Sequence, residues 1–270
     1  MKKNKQKVKL EISKRDYPDK NINNYDDYAD DIAQSNQDGT NWPHKYIEKP
    51  AMYGSLSDVS GSSILCLGCG TGEECDYLTN LGATVTGIDA SSRSIEIAKK
   101  RFASIRFEIM DMNELKYEDN SFDLVYSSLT IHYAANLEYA LKEIFRVLKQ
   151  GGTLVFSTLH PIKWGAEVKR DSKNERKKSF ILGYDSFVQP SRVFGDYLNT
   201  REITQKPEGY PVIRYWNRSI SEYLRVIKGI GFKLIDFIEP LPTDDLKNID
   251  RDYWEIQSRI PQFMIFKLEK

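Results

Sequence analysis

The sequence predicts a doubly wound α/β protein, in which a mostly parallel sheet is covered by helices on both faces. Between Ser62 and Ser157, apolar segments of strand length alternate with segments of helical periodicity. The apolar segments are rich in isoleucine, valine, leucine and phenylalanine, a composition typical of strands that are buried on both faces. Because parallel strands are joined by right-handed crossovers, the connecting helices are expected on both sides of the sheet.

The hydrophobic pattern predicts the individual strands and helices. Strands are predicted at 63–67, 83–88, 105–110, 122–129 and 153–159, with two more within 233–240 and 261–269. Helices are predicted to begin near Glu73, near Ser92 and after Asn136, a residue type that caps helix N-termini. The helix after Asn136 carries a continuous apolar face, and we expect Gly151 to end it.

The alternation stops after Pro161 and resumes near residue 218. The segment between is aromatic and irregular, and connections of that length inside a compact domain are usually functional lids or disordered. The pattern resumes with a helix in which Ser219 and Glu222 form a capping box and Gly231 marks the end. We therefore predict an N-terminal arm and helical cap at 1–49, an α/β binding domain formed by 50–160 and 218–270, and a substrate-covering lid at 161–217.

The composition favours a soluble globular protein without a strong electrostatic field. Lysine plus arginine number 39 among 270 residues, and aspartate plus glutamate also number 39, so no net charge steers the molecule to nucleic acid or an anionic membrane. No apolar run approaches the ~18 residues that span a bilayer. No apolar segment follows Lys2, Lys3 and Lys5, so we expect no secretory signal and a cytoplasmic location.

The three cysteines are expected to be reduced, buried and structural. Cys66, Cys69 and Cys75 are odd in number and lie close together, whereas the cysteines of a disulfide framework are spread through a chain. Cys66 lies inside an apolar strand, and no second ligand pair follows at the spacing of a zinc site. We therefore expect no metal.

A glycine-rich turn follows the first predicted strand. Gly68, Gly70 and Gly72 precede a helix, an arrangement that brings backbone N–H groups and a helix N-terminus against a ligand. Dinucleotide-binding folds use G-x-G-x-x-G, but here the third glycine position holds Glu73, a carboxylate where phosphates would lie. The shorter G-C-G-T-G pattern suits a ligand without phosphates, whose amino-acid end lies across the turn.

Two acidic residues follow the next two strands. Asp89 ends the second strand, where a carboxylate accepts hydrogen bonds from ribose hydroxyls, although it also suits the N-terminus of the next helix. Asp111 ends the third strand, where it either accepts from an adenine amine or is a surface acid. Together with the turn, these residues indicate an adenosine that carries something other than phosphate.

The motifs "ILCLGCGTG", "GIDAS", "MDM", "FDLVYSSL" and "VLKQGG" resemble the class I methyltransferases that use S-adenosylmethionine. Within that superfamily, "YIEKPAM", "SSLTIHY", "FSTLHPI" and "RSISEYLRVIKGIGF" are similar to a bacterial small-molecule group related to methyltransferase type 11. The resemblance implies a Rossmann-like seven-stranded sheet of order 3-2-1-4-5-7-6 with an antiparallel last strand, and S-adenosyl-L-homocysteine as product. It implies a cofactor site formed by Gly68, Cys69, Gly70, Thr71, Gly72, Asp89, Ala90, Asp111, Met112, Ser127 and Ser128, although the two serines suit equally the end of a strand.

One position departs from the family pattern. Members usually carry Asp or Glu where Cys66 stands, and that acid helps to fix the cofactor's ammonium. A thiol hydrogen-bonds only weakly. The departure implies that other groups must bind the ammonium here, or that activity has been lost.

Methyl transfer is an in-line displacement at a sulfonium carbon, so alignment of the nucleophile alone supplies up to ~7–11 kcal/mol. A hydroxyl acceptor also benefits from a general base. His132 and His160 follow the fourth and fifth strands, at the sheet edge where the methyl group is expected, and act either as bases or as packing residues. Tyr133, Tyr215 and Trp216 are predicted to contact the substrate.

The remaining aromatic and histidine residues extend this prediction. The aromatic residues of the lid form either a water-excluding substrate pocket or a small core of the lid itself. They are Tyr184, Phe187, Tyr197, Tyr210, Tyr215 and Trp216. His44 belongs to the N-terminal segment that is expected to cover the cofactor.

The favoured function is methyl transfer from S-adenosylmethionine to a small molecule by a monomer or homodimer, with no nucleic-acid or membrane partner. An RNA or protein methyltransferase is the alternative that keeps the cofactor, but no RNA-binding module is recognisable. A noncatalytic S-adenosylmethionine-binding protein is kept open by Cys66. Glu73 argues against an NAD-dependent oxidoreductase, because its carboxylate would lie where the phosphates of the dinucleotide bind. Substrate choice is expected to lie in the irregular lid, and oxygen, nitrogen and carbon acceptors all stay open.

Overall fold

The computed structural model describes residues 22–171, 178–205 and 212–270. The strands are β1 (Ser63–Leu67), β2 (Thr84–Asp89), β3 (Arg106–Ile109), β4 (Phe122–Ser127), β5 (Leu148–Leu159), β6 (Glu167–Arg170), β7 (Lys178–Ile181), β8 (Gly183–Asp185), β9 (Arg192–Phe194), β10 (Arg201–Gln205), β11 (Ile213–Asn217), β12 (Lys233–Ile238) and β13 (Phe263–Glu269). The predicted arm with Lys2, Lys3 and Lys5 lies outside the described residues.

The helices are α1 (Ile22–Asp38), α2 (Lys49–Gly54), α3 (Glu73–Asn80), α4 (Ser92–Arg101), α5 (Leu137–Val147), α6 (Pro161–Trp164), α7 (Ile220–Ile230), α8 (Asp244–Ile249) and α9 (Arg251–Gln257). A π-helical turn at His44–Glu48 precedes α2, and a 3₁₀ turn at Ile131–Tyr133 follows β4. None of the helices in the described part of the chain is long and apolar enough to cross a membrane.

The main sheet has the strand order β3-β2-β1-β4-β5-β13-β12. The pairs among β1 to β5 are parallel, and β13 is antiparallel to both of its neighbours. This is the predicted order, so the predicted fold class is confirmed. The carboxyl ends of β1, β2 and β4 consequently meet at one edge of the sheet, where ligands bind in open α/β folds.

Both faces of this sheet are covered, as the apolar strands predict. Side chains alternate across β1, so that Leu65 and Leu67 pack on one face and Ile64 and Cys66 on the other. The first face packs against α5 and α7, and the second against α3 and α4. The cap of α5 is also as predicted, because Asn136 Oδ1 accepts from the N–H of Tyr139 at 3.0 Å.

The predicted end of α5 is wrong. The helix ends at Val147, and β5 begins at Leu148, where Leu148 pairs with Phe122 of β4. Gly151 has φ +73° and lies in a register shift inside the strand rather than behind the helix. Pairing with β4 thus overrides the helical period of the sequence here, and the extra residues are absorbed as a bulge.

The 161–217 segment is more regular than its sequence suggests. It forms three antiparallel pairs, β6 with β7, β8 with β9, and β10 with β11. Tyr184 and Phe187 belong to the β8–β9 hairpin and are 76% and 99% exposed, so neither lines an enclosed pocket here. Tyr210 lies outside the described residues. Whether the segment acts as a lid stays a prediction.

The connection between β12 and β13 contains α8 and α9, which the sequence pattern did not predict. Leu246 of α8 is fully buried and forms a small core with Ile47 and Phe263. The N–H of Thr243 donates to the carbonyl of Tyr46 at 2.9 Å. This connection therefore holds the π-helical turn against the edge of the sheet.

Two glycines of α7 give a matched pair of stability predictions. Gly229 lies inside the helix, and a methyl group added at its Cα would meet nothing within 4 Å, so Gly229→Ala should stabilise the fold by about 0.5–1 kcal/mol. Gly231 has φ +113° at the helix end, so Gly231→Ala should destabilise it by about 1–2 kcal/mol through backbone strain. Urea unfolding of both variants measures the two changes; shifts of the same sign would contradict the backbone assignment.

Candidate functional site

The glycine turn between β1 and α3 needs its glycines. Gly68, Gly70 and Gly72 have φ values of +70°, +51° and +94°, the left-handed region that other residues adopt only with strain. A side chain at Gly68 would collide with Thr130, which follows β4, whereas one at Gly70 would meet nothing within 4 Å. The backbone at Gly70 is therefore open to a ligand.

The turn is tied to the end of β2 by hydrogen bonds. The N–H groups of Gly68 and Cys69 donate to the carbonyl of Ile88 at 2.8 and 2.9 Å. Asp89 Oδ2 accepts from the N–H of Gly70 at 2.9 Å, and its Oδ1 accepts from the N–H of Ser91 at 2.9 Å. Asp89 thus braces the turn and the start of α4, and a carboxylate has about four acceptor sites.

The carboxylate of Glu73, next to the turn, is paired with other side chains. It begins α3, accepts from the hydroxyl of Thr71 at 2.8 Å, and forms an ion pair with Arg101 of α4. A carboxylate at this place also complements the positive end of the helix dipole. Any ligand phosphate in the turn would still meet this acid.

Asp111 and its neighbours lie beyond β3 at the same sheet edge. Asp111 is exposed, and its Oδ1 accepts from the backbone N–H and the side-chain amide of Asn113, both at 2.8 Å. Met112 is partly buried against the core, and Ala90 is partly exposed between β2 and α4. The structure thus brings the predicted base-binding residues to the edge that holds Asp89.

Ser127 and Ser128 have different surroundings. Ser127 is fully buried and donates to the carbonyl of Leu67 at 3.1 Å, so its hydroxyl joins β4 to β1. Ser128 donates to Glu48 Oε1 at 2.9 Å and lies 3.1 Å from His44 Nε2. For Ser127 this contact favours the alternative that it ends a strand.

A buried group of charges surrounds Ser128, and sequence reasoning missed most of it. Glu48 is fully buried and accepts from the hydroxyls of Ser128 and Ser157. His44 Nε2 lies 3.1 Å from Glu48 Oε2 and 3.5 Å from Glu74 Oε1, and Lys49 Nζ lies 3.0 Å from the same Glu74 oxygen. We call His44, Glu48, Lys49 and Glu74 the charged cluster.

The charges of this cluster perturb one another. Burial disfavours the imidazolium of His44, but the carboxylates of Glu48 and Glu74 outweigh burial and raise its pKa above the ordinary value. Burial likewise opposes ionisation of Glu48, but His44 and the two serine hydroxyls lower its pKa overall. The cluster is therefore a set of mutually compensated charges.

His132 lies in an aromatic group with two of the predicted substrate residues. Its ring centroid is 4.2 Å from that of Tyr133 and 6.1 Å from that of Tyr215. Tyr25 of α1 reaches over the group and hydrogen-bonds the hydroxyl of Tyr133, while Trp164 packs against Tyr215 at 5.8 Å. The structure thus brings the N-terminal cap and the 161–217 segment together around His132.

The two predicted catalytic histidines are both enclosed. Burial, and secondarily Arg218, lowers the pKa of His132 to about 3, so its ring is neutral over the ordinary pH range. His160 Nδ1 accepts from the N–H of Ile162 and caps α6, while its Nε2 lies 2.8 Å from Glu239. These contacts favour the packing alternative for His160; a catalytic part for either stays a prediction.

Trp216 is not part of this aromatic group. It is adjacent to Tyr215 in β11, and successive side chains of a strand point to opposite faces. The guanidinium of Arg218 lies over the Trp216 ring at 5.5 Å instead. Of the three predicted substrate residues, the fold therefore assembles Tyr133 and Tyr215 only.

The cysteines are free and buried, as predicted. A hydrogen bond with Cys75, together with burial, raises the pKa of Cys66, so the Cys66 thiol is neutral. Within the described ranges, no group of His, Cys, Asp and Glu side chains has an arrangement that would hold a metal ion.

Known proteins share this architecture and its motifs. Residues 65–156 match the family model described as a methyltransferase domain. The crystal structure of an S-adenosylmethionine dependent methyltransferase from Mesorhizobium loti is 26% identical with a TM-score of 0.65, covering 83% of this chain and 97% of that one. The crystal structure of a proposed S-adenosylmethionine dependent methyltransferase from Listeria monocytogenes is 25% identical with a TM-score of 0.69. The similarity covers 83% of this chain and 96% of that one.

Residues 65–156 thus match a methyltransferase domain, and the fold around them is that of solved S-adenosylmethionine-dependent methyltransferases. Among sequence relatives, the malonyl-[acyl-carrier protein] O-methyltransferase of Pectobacterium atrosepticum is 34% identical over 37% of this chain and 40% of its own length. The chain spans about half the length of the curated relatives it matches. The match to the family model ends at residue 156, before the 161–217 segment.

The neutral, buried ring of His132 predicts an acid-sensitive contribution to stability. Its folded pKa of about 3 lies below the unfolded value of 6.5, so the unfolded state binds the proton first and the fold loses stability as pH falls below 6.5. Between pH 7 and pH 4, His132→Gln should lose about 2–3 kcal/mol less stability than the wild type. Urea unfolding at the two pH values measures this.

The control for that measurement is His44→Gln. The folded pKa of His44 is raised, so its contribution is present below 6.5 and lost as pH rises. Removing His44 should therefore not protect the fold against acid. An identical acid loss in the wild type and His132→Gln would show that His132 titrates normally.

Proposed function

We propose that this protein transfers a methyl group from S-adenosylmethionine to a small-molecule acceptor. The observation that carries the proposal is the left-handed glycine turn, whose backbone at Gly70 is open to a ligand and is held by Asp89. The match of residues 65–156 to a methyltransferase domain supports the same cofactor, as does the acid at Glu73, which opposes a pyrophosphate.

We assign a group of the chain to each part of the cofactor. The methionine half would lie across Gly68, Cys69, Gly70, Thr71 and Gly72. The ribose hydroxyls would donate to Asp89, and the adenine would lie between Ala90 and Met112 with its amine toward Asp111. The fit rests on the open backbone at Gly70 and on the position of these side chains at one sheet edge.

The bound cofactor supplies an activated methyl group on a good leaving group, so the protein's task is alignment. Enclosure by Tyr25 and Tyr133 would exclude water from the acceptor, and Tyr215 would form part of the pocket wall. A base with a pKa of about 3, such as His132, takes up a proton poorly at neutral pH. We therefore propose that His132 positions the two tyrosines, and that acceptors with an ionised or readily deprotonated nucleophile are favoured.

Similarity to malonyl-[acyl-carrier protein] O-methyltransferases favours a second candidate, transfer to a carboxylate carried by a carrier protein. A carboxylate is ionised at neutral pH and needs no base, in keeping with the low basicity of His132. The small molecule remains the first candidate, because the enclosing tyrosines of the aromatic group suit a compact acceptor.

Calorimetry with S-adenosylmethionine and with NAD tests the cofactor. The wild type should bind S-adenosylmethionine. Asp89→Asn should weaken binding about 10- to 100-fold, because it removes the charged carboxylate that would accept from the ribose hydroxyls and that accepts from the turn. Asp245→Asn, on the exposed surface of α8, is the matched control and should bind like the wild type. Binding of NAD alone would contradict the proposal.

Turnover tests the acceptor class. Release of S-adenosyl-L-homocysteine should be measured with a panel of small carboxylates, phenols and amines, and with a malonyl-loaded carrier protein. Turnover of a free small molecule is the expected result. Turnover of the carrier-linked substrate alone would support the second candidate, and cofactor binding without any turnover would favour the noncatalytic alternative.

A further inference from the structure

The charged cluster is an unfavourable set of groups to bury. Glu48 is fully buried, and the side chains of His44, Lys49 and Glu74 are 13%, 19% and 11% exposed. Taking two acids and two bases out of water costs several kcal/mol per ion unless each charge is well paired and hydrogen-bonded. Such clusters are weak evidence for stability, and they concentrate at functional sites.

The charges of the cluster are paired, but some buried polar atoms in and beside it make no well-directed hydrogen bond. Within the described residues, Glu48 Oε2 and Glu74 Oε1 are buried and receive no well-directed hydrogen bond, although cations lie near them. Tyr126 of β4 pairs with Cys66 of β1, and its hydroxyl is buried and likewise lacks a hydrogen bond. Burial raises the pKa of Tyr126, and the carboxylates of Glu48 and Glu74 raise it further. The two carboxylate oxygens are in contact with cations, whereas the Tyr126 hydroxyl has no hydrogen bond within the described residues, so this place has room for a further polar group.

The cluster adjoins the glycine turn. Glu74 is in the first turn of α3, two residues after Gly72, and Ser128 directly follows β4. His44 Nε2 lies within 3.5 Å of Glu74 and 3.1 Å of Ser128, so it spans the space between the start of α3 and the end of β4. Thr130 beside Gly68 lies at the same strand end. A ligand that crosses the turn in this direction reaches the cluster.

Cys66 does not supply an anion here. Its thiol is buried, neutral and hydrogen-bonded to Cys75. The carboxylate of Glu74, in the first turn of α3, also raises the pKa of Cys66 and so lies close to this part of β1. An ammonium group that extends from the turn to the charged cluster would therefore meet the carboxylate of Glu74.

We propose that the charged cluster binds the amino-acid end of the nucleoside donor, with Glu74 and Glu48 accepting from its ammonium and Lys49 and His44 pairing with its carboxylate. The proposal rests on the proposed function, because it presumes that donor. Two acids and two bases carry no net charge, which matches a zwitterion. A phosphate would meet two carboxylates, and a simple cation would leave Lys49 and His44 without an added anion.

The test compares two ligands that differ only in the amino-acid end. S-adenosyl-L-homocysteine has that end, and 5′-methylthioadenosine keeps the nucleoside and thioether without it. By calorimetry, Glu74→Gln and His44→Gln should each weaken binding of S-adenosyl-L-homocysteine about 10- to 100-fold and change binding of 5′-methylthioadenosine less than about twofold. Glu138→Gln, an exposed acid on α5, is the matched control and should alter neither.

The ligand pair separates this inference from its alternatives. Equal losses for both ligands would show a structural role for the cluster, and no loss for either would also overturn the proposal. If thermal melting shows that Glu74→Gln does not fold, Lys49→Met is used for the same comparison, because Lys49 is a cation of the cluster and is less buried than Glu74. If the wild type binds neither ligand, the proposed function fails with it; if the wild type binds both equally, only this inference fails.

Discussion

The structure depends on the hydrogen bonds that tie the glycine turn to the end of β2. Ile88 and Asp89 together accept from three consecutive N–H groups of Gly68, Cys69 and Gly70. These bonds compensate the backbone groups of a left-handed turn that would otherwise be unpaired. They also fix the start of α3, and with it Glu73 and Glu74, relative to the sheet edge.

Three other parts of the chain pack around the glycine turn and the sheet edge: α1, the π-helical turn and the connection between β12 and β13. Helix α1 reaches the start of α4 through Asp26 and reaches the aromatic group through Tyr25. The π-helical turn inserts Glu48 between the ends of β4 and β5, and the β12–β13 connection supports that turn from behind. π-helical turns are rare and frequently lie at functional sites, and this one carries half of the charged cluster. Sites on a rigid sheet edge with separate covering elements allow one fold to serve many acceptors.

The sequence predicted the sheet well because the strands are long apolar segments and the turn requires glycine. Asn136, Ser219 and Gly231 act at helix ends as their residue types suggest. These signals are local, so a short window of sequence contains them. The glycine turn and Asp89 beside it were predicted from the same local signals, and their part in binding a cofactor stays a prediction.

The charged cluster was missed because its partners are distant along the chain. Ser128 and Ser157 lie 80 and 109 residues from Glu48, so the "YIEKPAM" motif by itself does not reveal that Glu48 is buried against them. The end of α5 was misplaced because pairing of Leu148 with Phe122 decides it. The 161–217 hairpins are short, and their strands carry no clear alternation.

A crystal structure with S-adenosyl-L-homocysteine bound would test the central claim most directly. We expect ribose hydroxyls within hydrogen-bond distance of the Asp89 carboxylate, and a homocysteine chain running over Gly70 toward Glu74. Ligand density elsewhere on the molecule, or a ribose that is turned away from Asp89, would contradict this assignment.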